Sequence, residues 1–110
     1  MKLYPLSVLT KTDVSKVIKK NSIDHLIDIK VPSNMKVYLQ LLEIDAWYPN
    51  TEIVVYMDGE EIYRYTRSGR FVYDPPYIIS KELRISVVNN SDEDKPFGVF
   101  VDGIVVDLSH

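Results

Sequence analysis

The stretch from Leu83 to Leu108, LRISVVNNSDEDKPFGVFVDGIVVDL, constrains the fold more than any other part of the chain. Leu83, Ile85 and Val87 alternate with Arg84, Ser86 and Val88; Phe97, Val99 and Val101 repeat the pattern; Ile104, Val106 and Leu108 repeat it again beyond Asp102-Gly103. Apolar residues at period two mark a strand with one buried face. Two such runs joined by an Asn/Ser/Asp-rich loop, with a third after an Asp-Gly pair, predict a β-meander closing an all-β domain.

The same grammar extends upstream. His25, Ile27, Ile29 and Val31 fall on one face, with Leu26, Asp28 and Lys30 on the other, and Pro32-Ser33-Asn34 stops the run. Met35, Val37, Leu39 and Leu41 alternate with polar residues until Leu42, Ile44 and Ala46 take over the apolar phase. That one-residue shift predicts a β-bulge near Leu41-Leu42 or a strand passing from one buried environment to another. Ile53 to Met57 is the next strand, and Asp58-Gly59 is the dipeptide of a two-residue turn with positive φ at both positions. Ile62 to Tyr65 returns, Ser68-Gly69 turns, Phe71 to Tyr73 is short, and Asp74-Pro75-Pro76 breaks it ahead of a further strand at Tyr77 to Ser80.

Eight or nine strands with a turn signal about every 8–12 residues predict an antiparallel β-sandwich or barrel. One domain accounts for 110 residues that are 45% apolar. The boundaries expected are a β-sandwich over 23–110 and an N-terminal arm or edge segment over 1–22. Pro5 restricts the first residues to an edge. Thr12-Asp13-Val14 admits either a capped helical turn or an extended segment. Because residues 1–20 lie outside the sandwich pattern, deleting them is expected to spare the fold and weaken assembly.

Charge is unevenly placed. Residues 1–40 hold seven Lys against three Asp, and residues 41–110 hold six basic against thirteen acidic side chains. The split suits contact between copies or with a larger assembly, and equally a surface charged for solubility. The chain has no Cys, so disulfides and thiolate chemistry are excluded. Its apolar runs are a few residues long, against roughly 20 for a membrane span, and no signal-peptide hydrophobic region opens it. A cytoplasmic protein is the expectation outside a viral setting, without a membrane partner.

No reaction is expected, and no cofactor. With two His, His25 and His110, no Ser-His-Asp set can be built, and strict alternation places Asp24 and Asp28 on the face opposite His25. Ser91-Asp92-Glu93-Asp94 lacks the spacing of a calcium loop and reads as a hairpin connector, so no metal site is assigned. Arg64, Arg67, Arg70 and Arg84 lie among tyrosines, but thirteen carboxylates in the same region argue against nucleic acid.

The best functional leads are aromatic and basic. Tyr63 and Tyr65 share a face opposite Arg64, and Tyr56 is placed across the hairpin from them, making an aromatic cluster that serves an interface or stacks on a glycan. Trp47, Tyr48, Tyr73 and Tyr77 belong to the same enrichment. Lys11, Lys16, Lys19 and Lys20 suit docking of the arm on an acidic protein surface.

The pieces His25 to Pro32, Val37 to Ile44, Val54 to Gly59, and Ile85 to Ser91 with Val99 to Gly103 resemble those of small jelly-roll-like β-sandwich modules of virus and bacteriophage particles. The resemblance covers residues 23–108. It implies a capsid decoration or auxiliary virion protein, located in the virion, that forms trimers or other symmetric homo-oligomers and binds a major capsid or other virion protein. It carries over no catalytic residue. A carbohydrate-binding module using the tyrosines is the alternative.

Overall fold

The computed structural model describes residues 2–5, 13–45, 48–66 and 69–108. Lys11, Trp47, Arg67, Ser68 and His110 lie outside them. Nine strands run through the described residues: β1 (Lys2–Pro5), β2 (Asp13–Ile18), β3 (Ser22–Lys30), β4 (Met35–Ile44), β5 (Thr51–Met57), β6 (Glu60–Tyr65), β7 (Gly69–Ile79), β8 (Glu82–Asn89) and β9 (Lys95–Asp107). Thr12 also lies outside the described residues, and Asp13–Ile18 is a strand, as β-branched Val14, Val17 and Ile18 favour.

All pairing is antiparallel, in two sheets. One has the order β1-β9-β4-β7, with β2 sharing the β9 edge; the other is β3-β8-β5-β6. β1 meets the end of β9, with Lys2 opposite Asp107, and β2 meets its start, with Ile18 opposite Lys95. Strands β2 with β9, β3 with β8, β4 with β7 and β5 with β6 are all partners, so β2 to β9 form one long hairpin folded at Asp58-Gly59 and rolled until β4 also meets β9 and β5 meets β8. That is the eight-stranded jelly roll, an antiparallel sandwich with two four-stranded sheets and an extra edge segment.

The inner faces meet in one core. Val37, Leu39, Leu42 and Ile44 of β4 and Phe97, Val99 and Val101 of β9 face Ile53, Val55 and Met57 of β5 and Leu83, Ile85 and Val87 of β8. Ile18, the last residue of β2, is fully buried among them.

Asp58 and Gly59 have φ of 55° and 84°, as the two-residue turn requires. The shift of phase in β4 is a bulge between Leu39 and Leu41, slightly earlier than the expected position. Three expectations are corrected. β8 and β9 lie in different sheets, so Leu83 to Leu108 is not a meander. Asp102-Gly103 is not a turn: β9 runs straight through it, and a Cβ on Gly103 would sit 2.6 Å from the Tyr38 carbonyl oxygen, so this glycine lets two strands approach. Asp74-Pro75-Pro76 does not end a strand either, because β7 is the sheet edge, where a proline without N–H leaves no ladder bond unmade. Pairing skips there instead, from Leu41 opposite Val72 to Leu39 opposite Tyr77.

Candidate functional site

The tyrosines separate into two groups. Tyr65 pairs with Ile53 and Tyr63 with Val55, so both rings turn to the core side of β6. They stack on each other at 5.3 Å between centroids, and Phe71 of β7 stacks on Tyr65 at 4.5 Å and on Tyr63 at 5.7 Å. Tyr73 and Tyr77 extend the set with an edge contact at 6.1 Å. These half-buried rings close the gap between edge strands β6 and β7. The Tyr65 hydroxyl is buried with no hydrogen-bond partner. Burial pushes the Tyr65 and Tyr73 phenols well above their ordinary value, with Tyr63 adding to the effect on both.

Tyr56 is not part of that cluster. A register shift between Val55 and Tyr56 sets it opposite Glu61 on the outer face, with the Arg84 guanidinium 4.4 Å from its ring centroid. Much of the rest of that outer face is charged and paired, although Ile23, opposite Val88, is 66% exposed on it. Arg64 binds Glu52 and Glu61, and Lys30 binds Glu82 with Asp28 3.7 Å away.

His25 also lies on this face. The register shift between His25 and Ile27 turns Leu26 inward along with Ile27 and Ile29, which corrects the strict alternation expected for β3. Asp28, opposite Arg84, therefore shares the outer face with His25, opposite Ser86. The His25 Nδ1 and Ser86 Oγ are 2.7 Å apart. Ser86 is only 4% exposed, so the contact ties β3 to β8 and presents no accessible nucleophile. The sequence carries no local signal for this pair, whose members are far apart in the chain.

The described N-terminal lysines are exposed near the β2–β3 turn. Lys16 Nζ lies 2.8 Å from Asp24, and with the His25 backbone N–H it holds that carboxyl below its ordinary range. The Lys20 backbone N–H donates to Asp94 at 2.9 Å. Lys11 lies outside the described residues.

The acidic loop is organised from beneath by Asn89, which is fully buried. Its Nδ2 donates to the Ile18 and Glu93 carbonyls at 3.0 and 3.1 Å, and its Oδ1 accepts from the Ser91 N–H and hydroxyl at 3.0 and 2.6 Å. Asn89 therefore fastens β2 to the β8–β9 loop. Among the described residues no group of three or more His, Cys, Asp or Glu could hold a metal ion.

Beside that loop an open cleft of about 320 Å³ is lined by Asn50, Thr51, Glu52, Thr66 and Asn90. The Asn90 N–H donates to the Asn50 carbonyl at 2.9 Å, and the Thr51 hydroxyl donates to the Tyr48 carbonyl at 2.6 Å, so its walls are tied together.

The outer face of β9-β4-β7 is different in kind from that of the other sheet. Ile104, Tyr38 and Ile78 form one rung across the three strands, and Asp102, Leu41 and Val72 form the next. Val72 and Ile78 are 68% and 50% exposed. Phe100, Glu43 and Arg70 bound the patch at one end; at the other lies Lys36, opposite Val106, which is itself buried. Alternation assigned Tyr38 outward, but it grouped Ile104 with Val106 and Leu108 on a buried face; because β9 runs on through Gly103, Val105 enters the core and Ile104 turns outward.

No helix of the described residues is long and apolar enough to cross a membrane. No protein-family model and no curated protein match the chain. Among solved structures, FLHE is similar over the whole of both chains, with 9% identity and a TM-score of 0.42. A chain of the infectious bursal disease virus Gt strain is similar over 96% of this chain and 33% of its own length, with 6% identity and a TM-score of 0.44. The giant freshwater prawn Macrobrachium rosenbergii extra small virus VLP is similar over 87% of this chain and 80% of its own, with 8% identity and a TM-score of 0.36. The solved structures similar to this chain thus include virus particle proteins, and the likeness is one of fold alone.

Proposed function

We propose that this chain is a non-catalytic structural protein that oligomerises and binds a larger protein assembly, in the first place as a decoration or auxiliary protein of a virus capsid. The observation that carries the reading is the difference between the two outer faces. One carries mostly paired charges, with Ile23 exposed at its β2–β3 end; the other leaves Tyr38, Leu41, Ile104, Val72 and Ile78 together in two adjacent rungs. A contiguous apolar face on a small sandwich is what contact with another protein removes from water. The virus particle as setting comes from the resemblance of residues 23–108. Co-expression with the products of neighbouring genes tests it: the chain is expected to sediment with particles that they form, and a monomer that binds neither particles nor other proteins sinks the reading.

A second reading, sugar binding, is favoured by the cleft and not by the tyrosines, whose rings pack against the core. Asn50, Asn90 and Thr66 line it, bringing two carboxamides and a hydroxyl to one cleft. The Glu52 carboxylate is neutralised by Arg64, so the lining suits neutral hydroxyls better than an ion. Retention on a glycan array that survives Tyr63→Ala but is lost with Asn90→Ala would support it; no retention would remove it.

A further inference from the structure

We infer that the outer face of β9-β4-β7 docks on the same face of a second copy, about a two-fold axis that crosses the strands between the Tyr38 and Leu41 rungs. The inference rests on the structural role proposed above and assigns the partner of this face.

The rung order makes the patch self-complementary. Along β4 the outer positions are Lys36, Tyr38, Leu41 and Glu43, a cation at one end and an anion at the other with two apolar residues between. Rotation about the stated axis lays β4 on β4 in the opposite direction. Lys36 then faces Glu43 of the other copy, Tyr38 faces Leu41, and Ile78 faces Val72. A two-fold axis along the strands would instead set Lys36 on Lys36 and Glu43 on Glu43. Like charges across an interface cost several kcal/mol, so the charge pattern selects the first arrangement. An isologous contact of this kind uses one patch twice and closes, which stops growth at the dimer.

Local geometry leaves both charges available. Lys36 Nζ donates to the Ser80 hydroxyl at 2.9 Å and has no carboxylate partner among the described residues, while Glu43 is 3.9 Å from Arg70, a loose contact between exposed groups. The β7 edge flanking the patch carries Pro75 and Pro76, which disfavour edge-to-edge strand pairing as the competing mode. One pairing is mismatched: Asp102 comes to lie across from Ile104.

Sedimentation equilibrium of the full chain over a concentration series tests this, with thermal unfolding confirming that each variant is folded. The parent is expected to form dimers. Lys36→Glu and Glu43→Lys are each expected to weaken association roughly tenfold, and the double variant to restore it, because the swapped charges again face each other. Val72→Asp and Ile78→Asp, at exposed positions, are expected to give monomers, and Asp102→Ala to tighten the dimer. A protein that stays monomeric, an oligomer indifferent to Val72 and Ile78, or a dimer that both single charge variants weaken and the double variant does not rescue would overturn the inference. Retained sedimentation with particles in any of those cases would leave the structural role standing, so the two failures are distinguishable.

Discussion

Asp58 does two jobs from one position. Its backbone adopts the positive φ of the turn, and its carboxylate accepts backbone N–H bonds from Ser80, Lys81 and Glu82 at 3.0, 2.6 and 3.2 Å, joining the β5–β6 turn to the β7–β8 corner. Burial raises the carboxyl pKa, but the three donors outweigh it and hold the value below its ordinary 3.8. A depressed folded value contributes stability that is full above the unfolded value and is lost as pH falls through the folded one. Asp58→Asn keeps the turn geometry, so it is expected to cost about 1 kcal/mol at neutral pH and to flatten the acid limb of a stability-against-pH curve from urea denaturation. The phenols of Tyr65 and Tyr73 act at the other extreme. Their folded values lie above the ordinary 10.0, so stability is full below that pH and falls as it is exceeded. Tyr65→Phe, which also removes the unpartnered hydroxyl, is expected to hold its thermal midpoint better than the parent above pH 10.0. Gly103→Ala is expected to cost about 1–3 kcal/mol in the same denaturation assay, because its Cβ meets a backbone oxygen that cannot rotate away.

Among elements, β2 shows where the sequence was misleading. Asp13 to Ile18 lacks the clean alternation of the later strands: at this edge Ser15, Lys16 and Val17 are exposed, while Ile18 enters the core. The expectation that residues 1–20 can be removed without harm to the fold is therefore replaced. Deleting them strips one edge of β9 and empties the Ile18 site, a loss of about 2–5 kcal/mol for the side chain alone. The thermal midpoint is expected to drop by more than about 10 °C, and Ile18→Ala in the full chain to give a substantial part of that drop. Long strands defeated the count for a different reason. β7 and β9 were each divided at Gly or Pro, the usual punctuation of turns, because nothing local distinguishes a glycine needed for close approach from one needed for a turn. The Asp58-Gly59 hairpin was legible, since there the turn chemistry and the flanking alternation agree.

At the scale of the molecule, the period-two pattern was enough for an antiparallel sandwich, because the inner faces of β4, β5, β8 and β9 supply most of the core, with β3 adding Leu26, Ile27 and Ile29. Which strands are neighbours was not legible. Pairing of β2 with β9 or β3 with β8 joins opposite ends of the chain through contacts that leave no mark on either segment alone. For the same reason the apolar outer rungs, the Asn50–Asn90 cleft and the His25–Ser86 contact emerge only once the hairpin is rolled. The tyrosine enrichment was visible in the composition, whereas its inward direction depends on register.

Lys2 stands opposite Asp107, at the end of the sandwich that also holds the Asp58-Gly59 turn and the β7–β8 corner. The Asn89-centred loop and the cleft are gathered at the other end, one length of β9 away, about 40 Å for a strand of its size. The two ends of the described chain thus leave from a single pole. A reporter spliced on either side would emerge from the same corner, a short linker across them would yield a circular permutant, and a copy tethered by that pole would offer the cleft to the medium.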